Sequence, residues 1–398
     1  MTTNTDAPLM WSPPTMNNPT IVDLSKTGGQ DWWHFDDNQD VIFIGDTAHV
    51  RNAKIQTEGG HNIMVLGGEY QPTGAPTGTF AFYGAKGTVF VDGVHIDNSK
   101  SSGTDGIDIS GGAQTSLVVQ NSSIENVNGA FSGGQSDSGN GHADGIQVQG
   151  DLGGQVNLHN LHITTDYQGL FISPQYAIAP SKVTADHVDL HYTAGQANDG
   201  NPISYLLWTN DDPAHQVHVP WSFNEVYVQP RDGQSAIQDT VWPKAGMGAE
   251  QNGDQISWPS LGYTGHVTVG NHSSFVDSTK IGANFHDTQA LTGVNAGTVA
   301  TTPPAPVAST PAVSTPAAGH APTVSDLLHE MTLDYQAIFS TTGTAQLKAI
   351  DAYEAVEQKL VALIEGHSAG AAMQHASASM SLADAQHVAQ TLDHWAHH

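Results

Sequence analysis

The sequence predicts an all-β chain wound as a right-handed, single-stranded parallel β-helix, a solenoid, with a small α-helical C-terminal unit after a Pro-rich linker. Three observations predict it. First, four segments repeat one pattern: Val89-Phe-Val-Asp-Gly-Val-His-Ile96, Leu117-Val-Val-Gln-Asn-Ser-Ser-Ile124, Val156-Asn-Leu-His-Asn-Leu-His-Ile163 and Val183-Thr-Ala-Asp-His-Val-Asp-Leu190. Positions 1, 3 and 8 are aliphatic in all four, and position 6 in three, with Ser122 the exception. Two apolar residues at period 2 make one inward strand face, a polar pair turns the chain, and a second apolar pair begins the next strand. Second, the segments start at 89, 117, 156 and 183, giving steps of 28, 39 and 27 residues, the period of a solenoid. Third, helical periodicity is missing from these repeats and is found only beyond the linker.

Each rung is too thin to bury its own apolar face, so stacked rungs must share one core. Rungs lie about 4.8 Å apart, the strand spacing of a sheet, and equivalent positions therefore form ladders. Residues 1–20, rich in Pro, Asn and Thr, read as an arm. The lead-in from Ile21 to Asp40, with Trp32, Trp33 and Phe35, is expected to cap the open end of a coil spanning 21–295. Val41–Ile44 and Ile63–Leu66 are the first rung signals, and the four regular segments follow. Beyond Leu190 the repeats degrade into strand-like pieces such as Ile203–Trp208, Val226–Val228 and Val267–Val269, separated by long loops. Residues 296–322, with prolines 303, 304, 306, 311, 316 and 322, read as a semi-rigid linker. In 323–398 the spacing changes to i, i+3, i+4 (Leu347, Ile350, Tyr353, Val356, Leu360, Leu363), and Ser381 caps a further helix. So small a helical unit has a marginal core of its own, which suggests homo-oligomer formation through these helices.

A net charge of −28, from 11 Lys and Arg against 39 Asp and Glu, makes nucleic acid and acidic membrane surfaces poor partners. No apolar run reaches the roughly 18 residues of a membrane span, so no membrane insertion is expected. Without cysteine, disulfides and thiolate metal sites are excluded. The N-terminus lacks the basic and apolar regions of a leader, and the expectation is a secreted or cell-surface protein without a recognisable cleaved signal peptide, a cytoplasmic location staying open. The 22 His form no HExxH or other tight ligand set, and no metal site is assigned. No cofactor is required, with Ca²⁺ the one ion that could bridge carboxylates to an acidic sugar.

The second strands of successive rungs align as Thr104-Asp105-Gly-Ile-Asp108-Ile, Ala143-Asp144-Gly-Ile-Gln147-Val and Tyr167-Gln168-Gly-Leu-Phe171-Ile. With the aliphatic residues inward, Asp108, Gln147 and Phe171 should form an outward ladder. Asp105, Asp144 and Gln168 start the same strands, where simple alternation is least dependable. Two carboxyls one rung apart cannot both ionise comfortably, which suits an acid paired with a base or nucleophile on a glycosidic bond. His142, beside the Gly- and Ser-rich insertion 128–141, could carry a proton. The catalytic candidates are therefore Asp105, Asp144 and His142; the substrate-binding candidates are Asp108, Gln147, Tyr167, Gln168, Phe171 and Trp208. Against this, Asp-Gly is often only a turn, stacked amides often only a ladder, and the aromatics of 196–262 could fold back onto the coil.

The run Asp105-Gly-Ile-Asp108, Gly141-His142-Ala-Asp144-Gly-Ile-Gln147, Asp166-Tyr-Gln-Gly-Leu-Phe171 and Tyr205-Leu-Leu-Trp208 resembles the pectate-lyase-like group of bacterial right-handed β-helix proteins. Val228-Gln-Pro-Arg231 and Ile256-Ser-Trp-Pro259 are similar to recurring elements of a poorly characterised branch of it, and the resemblance covers about residues 30–275. It implies a groove along the outer face that accepts an extended polysaccharide, cut by hydrolysis or β-elimination. Thr104-Asp-Gly-Ile resembles the first motif of polygalacturonases, but Gly103 stands where they have Asn, and their other motifs have no counterpart. Nor does a Lys or Arg sit in the Asp105 or Asp144 strand to serve as a lyase base. The expected activity is accordingly glycoside hydrolysis by carboxylate acid/base chemistry; a lyase, a glycan-binding or surface-matrix protein without turnover, and a structural or carrier coil are the alternatives.

Overall fold

The computed structural model describes residues 7–286, except 75–77, 102, 130–142, 149, 173–177, 194–204 and 210–217. Those residues fold as an all-β chain in parallel sheets. The linker 296–322, the helical unit 323–398 and its oligomerisation lie outside the described residues. Among the described residues no helix is long and apolar enough to cross a membrane.

The chain alternates between two sheets. The first runs through Thr20–Asp23, Val41–Ile44, Ile63–Leu66, Thr88–Asp92, Ser116–Val127, Gln155–Thr165, Lys182–Tyr192, Trp221–Gln229 and Val267–Val269, each parallel to the one before. The second takes the strands between them: Trp32–Phe35, Ile55–Gly59, Gly78–Tyr83, Asp105–Ser110, Asp144–Val148, Gln168–Ile172, Leu207–Trp208 and Val241–Trp242. The repeats pair in register, Val89 with Leu117, Leu117 with Val156, and Val156 with Val183, so the aliphatic positions stack into columns. All of positions 1, 3 and 8 are buried, and Ser122 at position 6 is buried too.

The polar pair of each repeat is where the strand bends. Its second residue takes a left-handed conformation in every case: Gly93 (φ 69°), Asn121 (48°), Asn160 (47°), His187 (55°) and, one turn later, Glu225 (50°). Glycine tolerates that conformation and asparagine and histidine are enriched in it, whereas Glu225 is unusual there. Stacked corner amides help to hold it: the Asn160 amide donates to Asn121 Oδ1 (3.0 Å), and the Asn121 amide donates to Asp92 Oδ1 (2.9 Å). Asp92, which as an unmatched carboxylate reads as a solvated turn, is 1 % exposed and belongs to this ladder.

Regular pairing begins one turn earlier than the sequence suggests. Thr20–Asp23 pairs with Val41–Ile44, and Trp32–Phe35 pairs with Ile55–Gly59, so the Trp-rich lead-in is itself paired into both sheets. Trp33 and Phe35 pack edge-on against Phe43 at that end of the core. At the other end, antiparallel strands Glu250–Asn252 and Gln255–Ser257 close the first sheet, with Trp221, Trp258, Phe223 and Tyr263 clustered beneath. The N-terminal segment lies along the outer face of the first sheet. Leu9, Trp11 and Met16 join the apolar ladder Ile42, Met64, Phe90 and Val118, and Gln120 Oε1 accepts from the Met10 (3.1 Å) and Trp11 (3.3 Å) backbone N–H groups.

Candidate functional site

The second sheet carries the candidate residues, and its register decides which of them share a face. Trp32, Gln56, Ala81, Asp108, Gln147, Phe171, Trp208 and Trp242 are partners on successive strands. Since Ile107, Ile109, Ile146, Val148, Leu170 and Ile172 are all buried in the core, this row points outward. Asp108, Gln147, Trp208 and Trp242 are half-buried, while Phe171 is covered at 3 % exposure. At its C-terminal end the row becomes an aromatic cluster: Phe171 to Trp208 at 5.2 Å, Trp208 to Trp242 at 5.5 Å, and Tyr205 to each Trp at 5.4 and 5.2 Å. Lys244 Nζ lies over the Trp242 ring at 5.8 Å.

Asp105, Asp144 and Gln168 start their strands one above the next, Asp144 directly paired with Gln168. They do not face solvent. Asp105 is 5 % exposed and Asp144 is 0 % exposed, and Gln168 is buried as well. The Asp144 backbone N–H donates to Asp105 Oδ1 at 2.7 Å, a bond between neighbouring turns. Asp-Gly here is therefore part of a strand, and the glycine is required by close approach. A Cβ on Gly145 would lie 2.4 Å from Ile163 Cγ2 and 2.5 Å from the Gly169 carbonyl oxygen, and Gly106 is as tightly placed against Ile124 and Gly145.

Electrostatics follow from this burial. Desolvation first, then the charges of Asp144 and Asp108, hold the Asp105 carboxyl well above its ordinary range. Burial and the charge of Asp108 do the same for Asp144. Asp108 is pushed up to about 6 by burial, opposed by hydrogen bonds from the Tyr83 hydroxyl and the Gln147 amide. Tyr83 donates to Asp108 Oδ2 at 2.5 Å. The arrangement thus keeps two carboxyls of raised pKa inside and presents a third, half-buried, pushed up to about 6. That third carboxyl can act as a general acid toward a substrate oxygen that gains negative charge as its bond breaks.

Tyr167 is buried, and its hydroxyl is raised by burial and by the charges of Asp144 and Tyr192. Asp166 next to it accepts from the Gly129 N–H at 2.6 Å and is raised by burial, with Arg231 acting against that. The Arg231 guanidinium lies 3.9 Å over the Tyr192 ring and donates to the Asp166 carbonyl oxygen. Arg231 from the Val228-Gln-Pro-Arg231 element is in this way brought against Asp166 and Tyr192, which its distance in sequence hides. His142 lies outside the described residues. Of the other aromatics, Trp221 and Trp258 belong to the core.

The first sheet carries a second group of titratable side chains, several of them histidines. His95 meets Glu125 (3.6 Å) and Glu69 (3.9 Å), and His162 meets the buried Asp189 (2.9 Å); His95, Glu69, Glu125 and His162, with Ser123 and residues 281–284, line a cavity of about 350 Å³. Nearby, His159, Asp186 and His187 place ligand atoms within 4.8 Å of one another. No motif within one segment announces that set. The signal was the repeat alignment: His159 and Asp186 both occupy position 4, and His187 position 5.

Neither a family model, nor a curated protein, nor a solved structure matches this chain.

Proposed function

We propose that the chain is a right-handed parallel β-helix that takes an extended polysaccharide along the outer face of its second sheet and cleaves glycosidic bonds there by carboxylate acid chemistry. The repeated return of the chain from one mostly parallel sheet to the other supports the coil. The outward row from Asp108 to Trp242 carries the functional reading. It joins a carboxyl that titrates near 6 to an aromatic platform a few strands away, in one line. Sugar rings stack their C–H faces on such platforms, and each strand adds about 4.8 Å along the line.

In this mechanism Asp108, protonated, gives its proton to the leaving glycosidic oxygen as the bond from that oxygen to the anomeric carbon breaks, and a water molecule adds to that carbon and releases a proton to solvent. Gln147 holds a hydroxyl of the neighbouring sugar, and Trp208 and Trp242 hold a ring beyond it. Asp105 and Asp144, both raised by burial, lie beneath the surface, and burial holds the Asp108 carboxyl in its protonated form to higher pH than usual. The likeness to the pectate-lyase-like group supports the substrate class. A second reading has its own support: hydrolysis needs a partner carboxylate across the bond, and both neighbours of Asp108 in this cluster are buried. That favours a glycan-binding protein without turnover, displayed at a cell surface or secreted.

The test is product release from a panel of neutral and acidic polysaccharides by wild type and Asp108→Asn. New reducing ends, lost in the variant, support the hydrolase. Absorbance of an unsaturated uronide means a lyase and removes Asp108 as the acid. Binding without products, equal in both proteins, leaves the binding reading.

A further inference from the structure

The corner of the first sheet gathers metal-binding side chains on the outside of the coil, away from the row just described. His159 and Asp186 are register partners on Gln155–Thr165 and Lys182–Tyr192, and His187 follows at the left-handed corner. Asp186 Oδ2 lies 2.5 Å from His159 Nδ1 and 2.9 Å from His187 Nδ1. One carboxylate oxygen thus faces two imidazole nitrogens.

We propose that His159, Asp186 and His187 bind one divalent first-row transition-metal ion of the Zn²⁺, Co²⁺ or Ni²⁺ kind. Two imidazole nitrogens and one carboxylate oxygen suit these ions rather than Ca²⁺ or Mg²⁺, which prefer oxygen throughout. The three donors already lie within 4.8 Å of one another. Bonds of about 2.0–2.2 Å from a single ion would reach all of them after the donors part slightly, leaving a coordination position for water. The ion replaces the protons that now bridge the pairs.

The surrounding groups are those that metal-bound residues need. His187 Nε2 is 3.2 Å from Glu225 Oε2, so its second ring nitrogen has a carboxylate acceptor, the usual means of fixing a metal-bound imidazole. Asp186 Oδ1 accepts from the Asn224 amide on the next strand, which leaves Oδ2 for the ion. Apolar rings shelter the donors from both termini of the coil: Trp11 meets His159 edge-on at 5.9 Å, and Phe275 meets His187 at 5.0 Å. A hydrogen-bonded staple needs one imidazole for Asp186; the second imidazole and its own carboxylate go beyond that.

The test titrates the chelator-treated full chain with Co²⁺ and reads the visible ligand-field bands, with Zn²⁺ as competitor. Because the chain has 22 His, the result is the difference between wild type and variants. One tight ion in wild type, lost in His159→Ala and in Asp186→Asn, is expected. Glu225→Gln, at an exposed side chain, is expected to fold normally and weaken that ion about tenfold. It keeps the test decisive if the other two variants do not fold. Identical spectra and affinities in wild type, His159→Ala and Glu225→Gln would overturn the site.

Discussion

Asp108 is the residue on which the proposed chemistry turns, and its protonation can be shifted in a predictable direction. The Tyr83 hydroxyl donates to it and stabilises the charged form. Tyr83→Phe removes that bond, so the pKa of Asp108 should rise from about 6. If Asp108 is the acid, activity falls as pH rises through its pKa, and the alkaline limb of the pH–rate profile in Tyr83→Phe should move to higher pH. An unmoved limb would mean that another group carries the proton. A second residue-scale prediction concerns the corner. Asn121→Gly keeps the left-handed backbone but loses both amide bonds, and Asn121→Ala loses the bonds and strains the backbone. Denaturant melts should rank wild type above Gly and Gly above Ala, with the last step about 1–2 kcal/mol. Equal values for the two variants would show that the backbone conformation costs nothing there.

At the scale of the element, the strand Asp144–Val148 depends on a residue without a side chain. Gly145→Ala puts a methyl group against Ile163 and the Gly169 carbonyl, at 2.4 and 2.5 Å, where backbone cannot give way cheaply. A loss of about 1–3 kcal/mol or more in stability is expected, as for other overpacked sites. A change within about 0.5 kcal/mol, the range of ordinary surface substitutions, would show that the stack can part. This element also shows what the sequence discloses. Stacking of Asp105 on Asp144, and the outward row Asp108–Gln147–Phe171, follow from aligning the Asp-Gly-Ile strands at period 2. That Asp105 and Asp144 point into the protein does not follow, because a residue at a strand's first position leaves a corner whose direction alternation does not set. The crowding at Gly106 and Gly145 is equally hidden, since it comes from a neighbouring strand and the facing sheet. The His159, Asp186 and His187 set was legible only as columns of the repeat, not as a motif along the chain.

For the whole molecule, burial of Asp105 and Asp144 ties stability to pH. Both have folded-state pKa values above the unfolded value, so the folded protein binds more protons. Their favourable contribution is complete below about pH 4 and is lost as pH rises through the folded values. His95, raised chiefly by its hydrogen bond to Glu125, has the same sign, its contribution fading above the ordinary histidine range. Asp40, Asp97 and Asp186 have lowered values and act oppositely, losing their contribution as the medium becomes strongly acidic. The denaturation midpoint should therefore be higher at pH 5 than at pH 8. Asp144→Asn, which stays neutral, should narrow that difference by raising the pH 8 value; an unchanged difference would place the pH dependence elsewhere.

We propose that the outer face of the second sheet is where the chain meets a polysaccharide. The most direct measurement is the affinity of wild type, Trp208→Ala and Trp242→Ala for the polysaccharide bound best in the panel, with His162→Ala on the other sheet as reference. An aromatic platform is worth about 0.5–1.5 kcal/mol per ring beyond its buried area. Each Trp variant should thus bind up to about tenfold more weakly, while His162→Ala binds as wild type. Full affinity in both Trp variants, or a loss confined to His162→Ala, would contradict the claim and move the ligand to the first sheet.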